Sequence, residues 1–92
     1  MLIISQNGEA MLQMERYAIT ADQVTPGEVQ VTASDADMDY LLGTYQSMEG
    51  AKRAMKKLQE AYVRYRVMQA WIHQQYRLSK EKIAETMVYR MP

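Results

Sequence analysis

The stretch Tyr62 to Arg77, YVRYRVMQAWIHQQYR, gathers the residue types in this chain best suited to hold a ligand. Tyr62, Tyr65, Trp71 and Tyr76 are interleaved with Arg64, Arg66 and Arg77 and with the only histidine, His73. Aromatic rings stack on planar bases, and guanidinium forks bind phosphate oxygens in pairs. That combination suits a nucleotide, but the same letters also suit a helix packed on a sheet. His73 has no cysteine, serine or second histidine at motif spacing, so it is expected to be structural or at a rim. No phosphate-cradling glycine loop, nucleophile elbow or metal-binding helix motif occurs, and there is no cysteine. The expectation is a chain that is not an enzyme and uses neither metal nor cofactor. Asp35, Asp37 and Asp39 alternate like the oxygen ligands of a calcium loop, but the later glycine and glutamate are missing, and a solvated acidic loop is expected.

The element that must carry the opening stretch is a helix. Apolar residues at Ala51, Ala54, Met55, Leu58, Tyr62, Tyr65, Ile72 and Tyr76 follow the i, i+3, i+4 spacing of one helical face. Ser47 suits an N-cap, with Glu49 in the first turn where the helix dipole favours an anion. On this wheel Tyr62, Tyr65, Gln69, Ile72 and Tyr76 continue the packing stripe, with Arg66 and His73 at its edge. Arg64, Trp71 and Gln75 point the other way, flanked by Val67 and Met68. A tryptophan opposite the core stripe predicts burial against a second subunit, a helix break that turns it inward, or stacking on a ligand. A helix from Ser47 to about Arg77 would run roughly 45 Å, whereas four or five strands cover only about 20 to 25 Å. Either the helix breaks near Val67 or its overhang packs on another copy, and a homo-oligomer, a dimer or larger, is expected.

The first half reads as strands. LIISQ is apolar and β-branched, Asn7-Gly8 is a hairpin signal, and EAMLQM returns as a partner strand. RYAIT, with Tyr17 and Ile19 on one face, either extends that strand or follows a bend. Thr25-Pro26-Gly27 is a turn, EVQVTA alternates with Val29, Val31 and Ala33 inward, and YLLGTY ends a meander. After the long helix, Ser79 starts a short helical segment, KEKIAE, and MVYRMP is a closing strand. The fold class is therefore α+β: an N-terminal antiparallel β-meander, a long amphipathic helix, a short helical segment and a C-terminal strand, all in one domain spanning 1–92. A core of this size is small, and a partner subunit would help it.

Net charge is zero but unevenly spread: residues 1–46 hold seven acidic side chains against Arg16, and residues 47–92 hold ten basic against four acidic. The two halves can attract each other, or the basic half can bind an anion; Lys52, Arg53, Lys56 and Lys57 would serve a nucleic acid. No apolar run reaches the roughly 20 residues of a membrane-spanning helix, and MLIIS is too short for a signal core. A soluble protein of the cytoplasm, with no membrane partner, is expected.

Three segments, MLIISQ, LLGTYQSMEGAKRAMKKLQEAY and VYRMP, resemble a group of short proteins of prophages and other mobile elements of Firmicutes. Those proteins join a β-meander to an LG-x-Y-x-[ST] helix start and finish on a strand ending in MP. The group is similar to the anti-Thoeris sponge proteins of phages, which sequester cyclic ADP-ribose-type immune signals as oligomers. The resemblance implies a non-enzymatic nucleotide-binding sponge of a host cell's cytoplasm. The residue types assign the ligand contacts: Arg64, Arg66, Arg77 and Arg90 for phosphates, and Trp71 or Tyr76 for the base. The matched segments are structural and carry no ligand residue. The alternative is an anti-CRISPR-like inhibitor whose partner is a host defence protein.

Overall fold

The computed structural model describes residues 1–73 and 87–92, with the side chains of 71–73 excepted. The chain is α+β: three short strands, β1 (Leu2–Ile4), β2 (Met11–Gln13) and the last, β6 (Val88–Arg90), form one sheet in the order β2-β1-β6. Three longer strands, β3 (Ala18–Thr25), β4 (Glu28–Ser34) and β5 (Asp39–Tyr45), form a second sheet in sequence order, and the long helix α1 (Met48–His73) packs on it. The expected meander is thus the second sheet alone. The N-terminal strand leaves it to pair with the C-terminal strand, and that pairing is parallel.

Local chemistry accounts for each break. The β1–β2 loop is six residues long, from Ser5 to Ala10, rather than a two-residue Asn-Gly turn. Its frame is the buried Ser5, whose Oγ donates to Asn7 Oδ1 at 2.7 Å and accepts from Ala10 N–H at 2.9 Å. Gly8 takes the left-handed conformation there, φ 78°, which a side chain resists. A one-turn 3-10 helix, Met14–Arg16, then bends the chain out of β2, so RYAIT follows a bend. Pro26-Gly27 links β3 to β4, with Gly27 at φ 81°. These values fit a turn with proline at its second position and glycine at its third.

Alternation places Val29, Val31 and Ala33 on the inner face, all buried. In β5 the register slips between Val31 and Thr32 of its partner, leaving Leu42 as an extra residue. The bulge turns two consecutive residues, Leu42 and Gly43, inward. Gly43 is required by close approach: a Cβ there would lie 2.9 Å from the hydroxyl of Tyr45.

Helix α1 starts where Ser47 Oγ accepts the N–H of Gly50 at 3.0 Å, an N-cap as expected. Ala51, Ala54, Leu58 and Ala61 are buried against the sheet, with Met55, Tyr62 and Tyr65 packed beside them. The alanines let the helix approach closely. Beyond Ala61 no described residue of the helix is fully buried. Met68 is half-buried and Gln69 exposed, the reverse of the wheel's placing, because the stripe steps from Tyr65 by three residues rather than four. The helix runs through Val67 to His73 without a break, about 39 Å for 26 residues. The expected break near Val67 does not occur. The short helical segment from Ser79 lies outside the described residues.

Two polar joints tie the sheets together. Gln6 N–H donates to Leu42 O at 2.6 Å, and Gln6 Oε1 accepts from Thr44 N–H at 2.9 Å. The carbonyl of Pro92 accepts from Gln6 Nε2 at 3.0 Å and from Tyr45 Oη at 2.7 Å. The first strand, the last residue and β5 meet at this point.

Candidate functional site

The arginines expected to act together are separated by the fold. Arg64 and Arg66 stand about 200° apart on a helix of 3.6 residues per turn, so they leave opposite flanks of the packing stripe. Arg64 acts on Tyr89 of β6: burial pushes the Tyr89 hydroxyl up, and the Arg64 charge opposes that. Arg66 acts on Glu15 of the 3-10 turn, at the far edge of the same sheet. Arg90 belongs to neither flank. It shares its face with Ile4 and Met11, on the outer side of β2-β1-β6, and its guanidinium rests over Gly8, where a Cβ would lie 3.1 Å from Nη2. Trp71 occupies the last turns of α1, and Tyr76 and Arg77 lie outside the described residues. Tyr62 and Tyr65 do pack on the core, their rings 5.9 Å apart.

The residues that do converge are others. An open groove of about 520 Å³ runs between α1 and the start of β3, lined by Met14, Ile19, Lys52, Met55, Lys56, Leu58 and Gln59. Its floor is apolar, since Met14, Ile19 and Met55 are half-buried and Leu58 is buried. Lys52 and Lys56, one helical turn apart and exposed, stand on its rim. A second concavity, lined by Met48, Glu49, Lys52, Arg53 and Lys56, continues along the helix and shares both lysines. Its arginine is partly engaged, 3.7 Å from Glu49 in an exposed pair, a contact of small energetic value.

In the sequence Lys52, Arg53, Lys56 and Lys57 offer one option, a nucleic acid, and the apolar floor cannot be read from the helix alone. Met14 and Ile19 arrive from the 3-10 turn and β3, and only the bend at Met14–Arg16 sets them under the lysines. One signal was available: Met55 lies between Lys52 and Lys56 on the edge of the packing stripe.

Next to Met14 of the groove, the 3-10 turn carries an ion pair. The Met1 ammonium donates to Glu15 Oε1 at 2.5 Å. Burial pushes the Glu15 carboxyl up, but the hydrogen bond and charge of the ammonium, its own backbone N–H and Arg66 together hold it below its usual value. Asp35, Asp37 and Asp39 are all exposed. The N–H groups of Asp37 and Met38 donate to Asp35 Oδ1 at 2.9 and 2.8 Å and hold that carboxyl below its usual value. Asp35 is spent on its own turn, and among the described residues no group of three acidic or histidine side chains could hold a metal. No described helix is long and apolar enough to cross a membrane. Compared with family models, curated proteins and solved structures, the chain matches none.

Proposed function

We propose that this chain is a non-enzymatic binding protein that sequesters an anionic small molecule with a flat apolar part, of the nucleotide class, and that it works as a homo-oligomer. The observation that carries the reading is the groove between α1 and β3, which pairs an apolar floor with two lysines on one rim. Its volume of about 520 Å³ falls in the range of small-molecule sites, roughly 300 to 1,000 Å³. Lys52 and Lys56 supply charge to phosphate oxygens, Gln59 offers an amide to the polar edge of a base, and Met14, Ile19 and Met55 give the base a surface. In this reading Lys52 and Lys56 take the phosphate contacts in place of Arg64, Arg66, Arg77 and Arg90. The likeness to anti-Thoeris sponges supports cyclic ADP-ribose derivatives as the first ligands to try, and a phage or mobile-element setting in a host cell.

Calorimetry with cyclic ADP-ribose, ADP-ribose, AMP, adenosine and inorganic phosphate tests the proposal. The expected result is binding by the nucleotides, weaker binding by adenosine or phosphate alone, and a loss of at least tenfold in the double variant Lys52→Ala/Lys56→Ala. Arg64→Ala should bind as the unaltered chain does. A flat response across the panel, or loss on Arg64→Ala with the lysine variant unaffected, would refute it.

A further inference from the structure

The two concavities that share Lys52 and Lys56 differ in chemistry. The groove over Met14, Ile19, Met55 and Leu58 is apolar apart from Gln59 and the lysines on its rim. The second, of about 430 Å³, is lined by Met48, Glu49, Lys52, Arg53 and Lys56, so four of its five lining side chains are charged. On a helix of 3.6 residues per turn, Met55 and Leu58 leave the axis on one flank of the lysine pair, and Glu49 and Arg53 on the other. The lysines therefore stand between an apolar hollow and a polar one. From Met48 to Gln59 the two hollows follow α1 for about 16 Å.

Glu49 is the residue that discriminates between ligands. A site for bare phosphate gains nothing from a carboxylate beside its lysines. The side chain of Glu49 is 84% exposed and that of Arg53 70%, and they lie 3.7 Å apart, an exposed pair that a ligand opens at little cost. A carboxylate so placed accepts hydrogen bonds from sugar hydroxyls, as acidic side chains do where a ribose lies beside a pyrophosphate. Arg53 adds donors for the oxygens of the same sugar. The charges agree with such a ligand. Lys52, Arg53 and Lys56 against Glu49 leave two positive charges around the second concavity, which match the two negative charges of a diphosphate esterified at both ends.

We propose that Glu49 and Arg53 form a sugar-binding subsite, and that the groove's ligand is a nucleoside diphosphate sugar lying across the lysine pair. Its base rests on Met14, Ile19 and Met55, its diphosphate on Lys52 and Lys56, and its terminal sugar against Glu49 and Arg53. The proposal rests on the reading of the groove as a nucleotide site. A mononucleotide fills one hollow, whereas a diphosphate with a group at each end reaches both. A cyclic molecule that ties the base to the far sugar cannot send its two ends to opposite flanks of the lysines, so the open form binds more tightly.

Calorimetry with AMP, ADP, ADP-ribose and cyclic ADP-ribose, on the unaltered chain and on Glu49→Ala, tests this. ADP-ribose is expected to bind about tenfold more tightly than ADP, the effect of hydrogen bonds to a charged group at an open site, and more tightly than cyclic ADP-ribose. Glu49→Ala should remove that advantage while ADP binds as well as before or better, since a negative charge near its phosphates has gone. A carboxylate that serves only the helix start would lower the melting temperature and leave the ratio between ADP-ribose and ADP unchanged. That unchanged ratio, ADP binding as tightly as ADP-ribose, or cyclic ADP-ribose binding more tightly than the open form would each overturn the subsite and leave the groove as a nucleotide site. No binding by any of the four would refute the groove reading and the subsite with it.

Discussion

On β3-β4-β5 the outer rows read Ala18, Ser34, Asp39, then Thr20, Thr32, Leu41, then Asp22, Gln30, Thr44; on β2-β1-β6 they read Gln13, Leu2, Val88 and Met11, Ile4, Arg90. The first sheet places small and polar side chains in water, with Thr20 and Thr32 hydroxyls 3.4 Å apart across the strands, and buries its other face under α1. It is an antiparallel sheet with one wet face, and its alternation is complete within one chain. The second sheet keeps apolar residues on both faces. The difference teaches that the longer sheet is finished by its own helix, whereas the shorter one, among the described residues, is covered on its inner side only.

The largest effects should show whether the two sheets nevertheless fold as one unit. Ile3→Ala and Leu42→Ala remove buried side chains from one sheet each, and each is expected to cost about 3 kcal/mol, read from the urea midpoint. Both should melt in a single transition, because Gln6 bonds the end of β1 to Leu42 and Thr44. Two transitions would divide the sheets into separate units. Leu41→Ala, one residue away but 41% exposed, should stay within about 0.5 kcal/mol.

A smaller effect compares the turns. Gly8 and Gly27 share φ near 80°, and alanine at either is expected to cost about 1 to 2 kcal/mol. Nothing lies within 4 Å of an added Cβ at Gly27, while at Gly8 it meets the movable end of Arg90. The two losses should therefore be similar, and a much larger loss at Gly8 would mean that Arg90 cannot yield.

The smallest effect belongs to Glu15 and the Met1 ammonium. The folded pKa of Glu15 is below its unfolded value, so its stabilisation is complete above the ordinary carboxylate value of about 4.3 and is lost as pH falls through the lower folded value. Glu15→Gln should melt slightly lower than the unaltered chain at pH 7, and the gap should close as pH drops below about 4. A gap that is constant with pH would remove the ion pair from the account. Since Asp35 is held low in the same way by its own loop, its acid response should remain in the Glu15→Gln variant.

Much of the fold was legible because local chemistry repeats at short range. Ser47 marks the helix start, Pro26-Gly27 marks a turn, and Val29, Val31 and Ala33 mark an inner face; each depends on residues within a few positions. The bulge at Leu42 was not legible, because LLGT carries no sign of which residue is extra. The grouping of strands was hidden for a similar reason: Leu2, Ile3 and Ile4 announce a strand but not its partner. The groove was hidden as well, because Met14 and Ile19 stand far from Lys52 and Lys56 in the chain. Helical spacing already separates Arg64 from Arg66, since two residues along a helix turn a side chain by about 200°.

By itself, then, the sequence determined an α+β chain with a capped helix, a small apolar core and a charge division between its halves. Tertiary structure alone decided that β1 pairs with β6, that Met14 and Ile19 lie beneath Lys52 and Lys56, and that Leu2, Ile4, Met11 and Val88 share an open face. The physical reason is range. Caps, turns and alternation are set by neighbours along the chain, whereas a groove or a patch is made of residues that chain closure brings together, and side-chain type does not say which segments will meet.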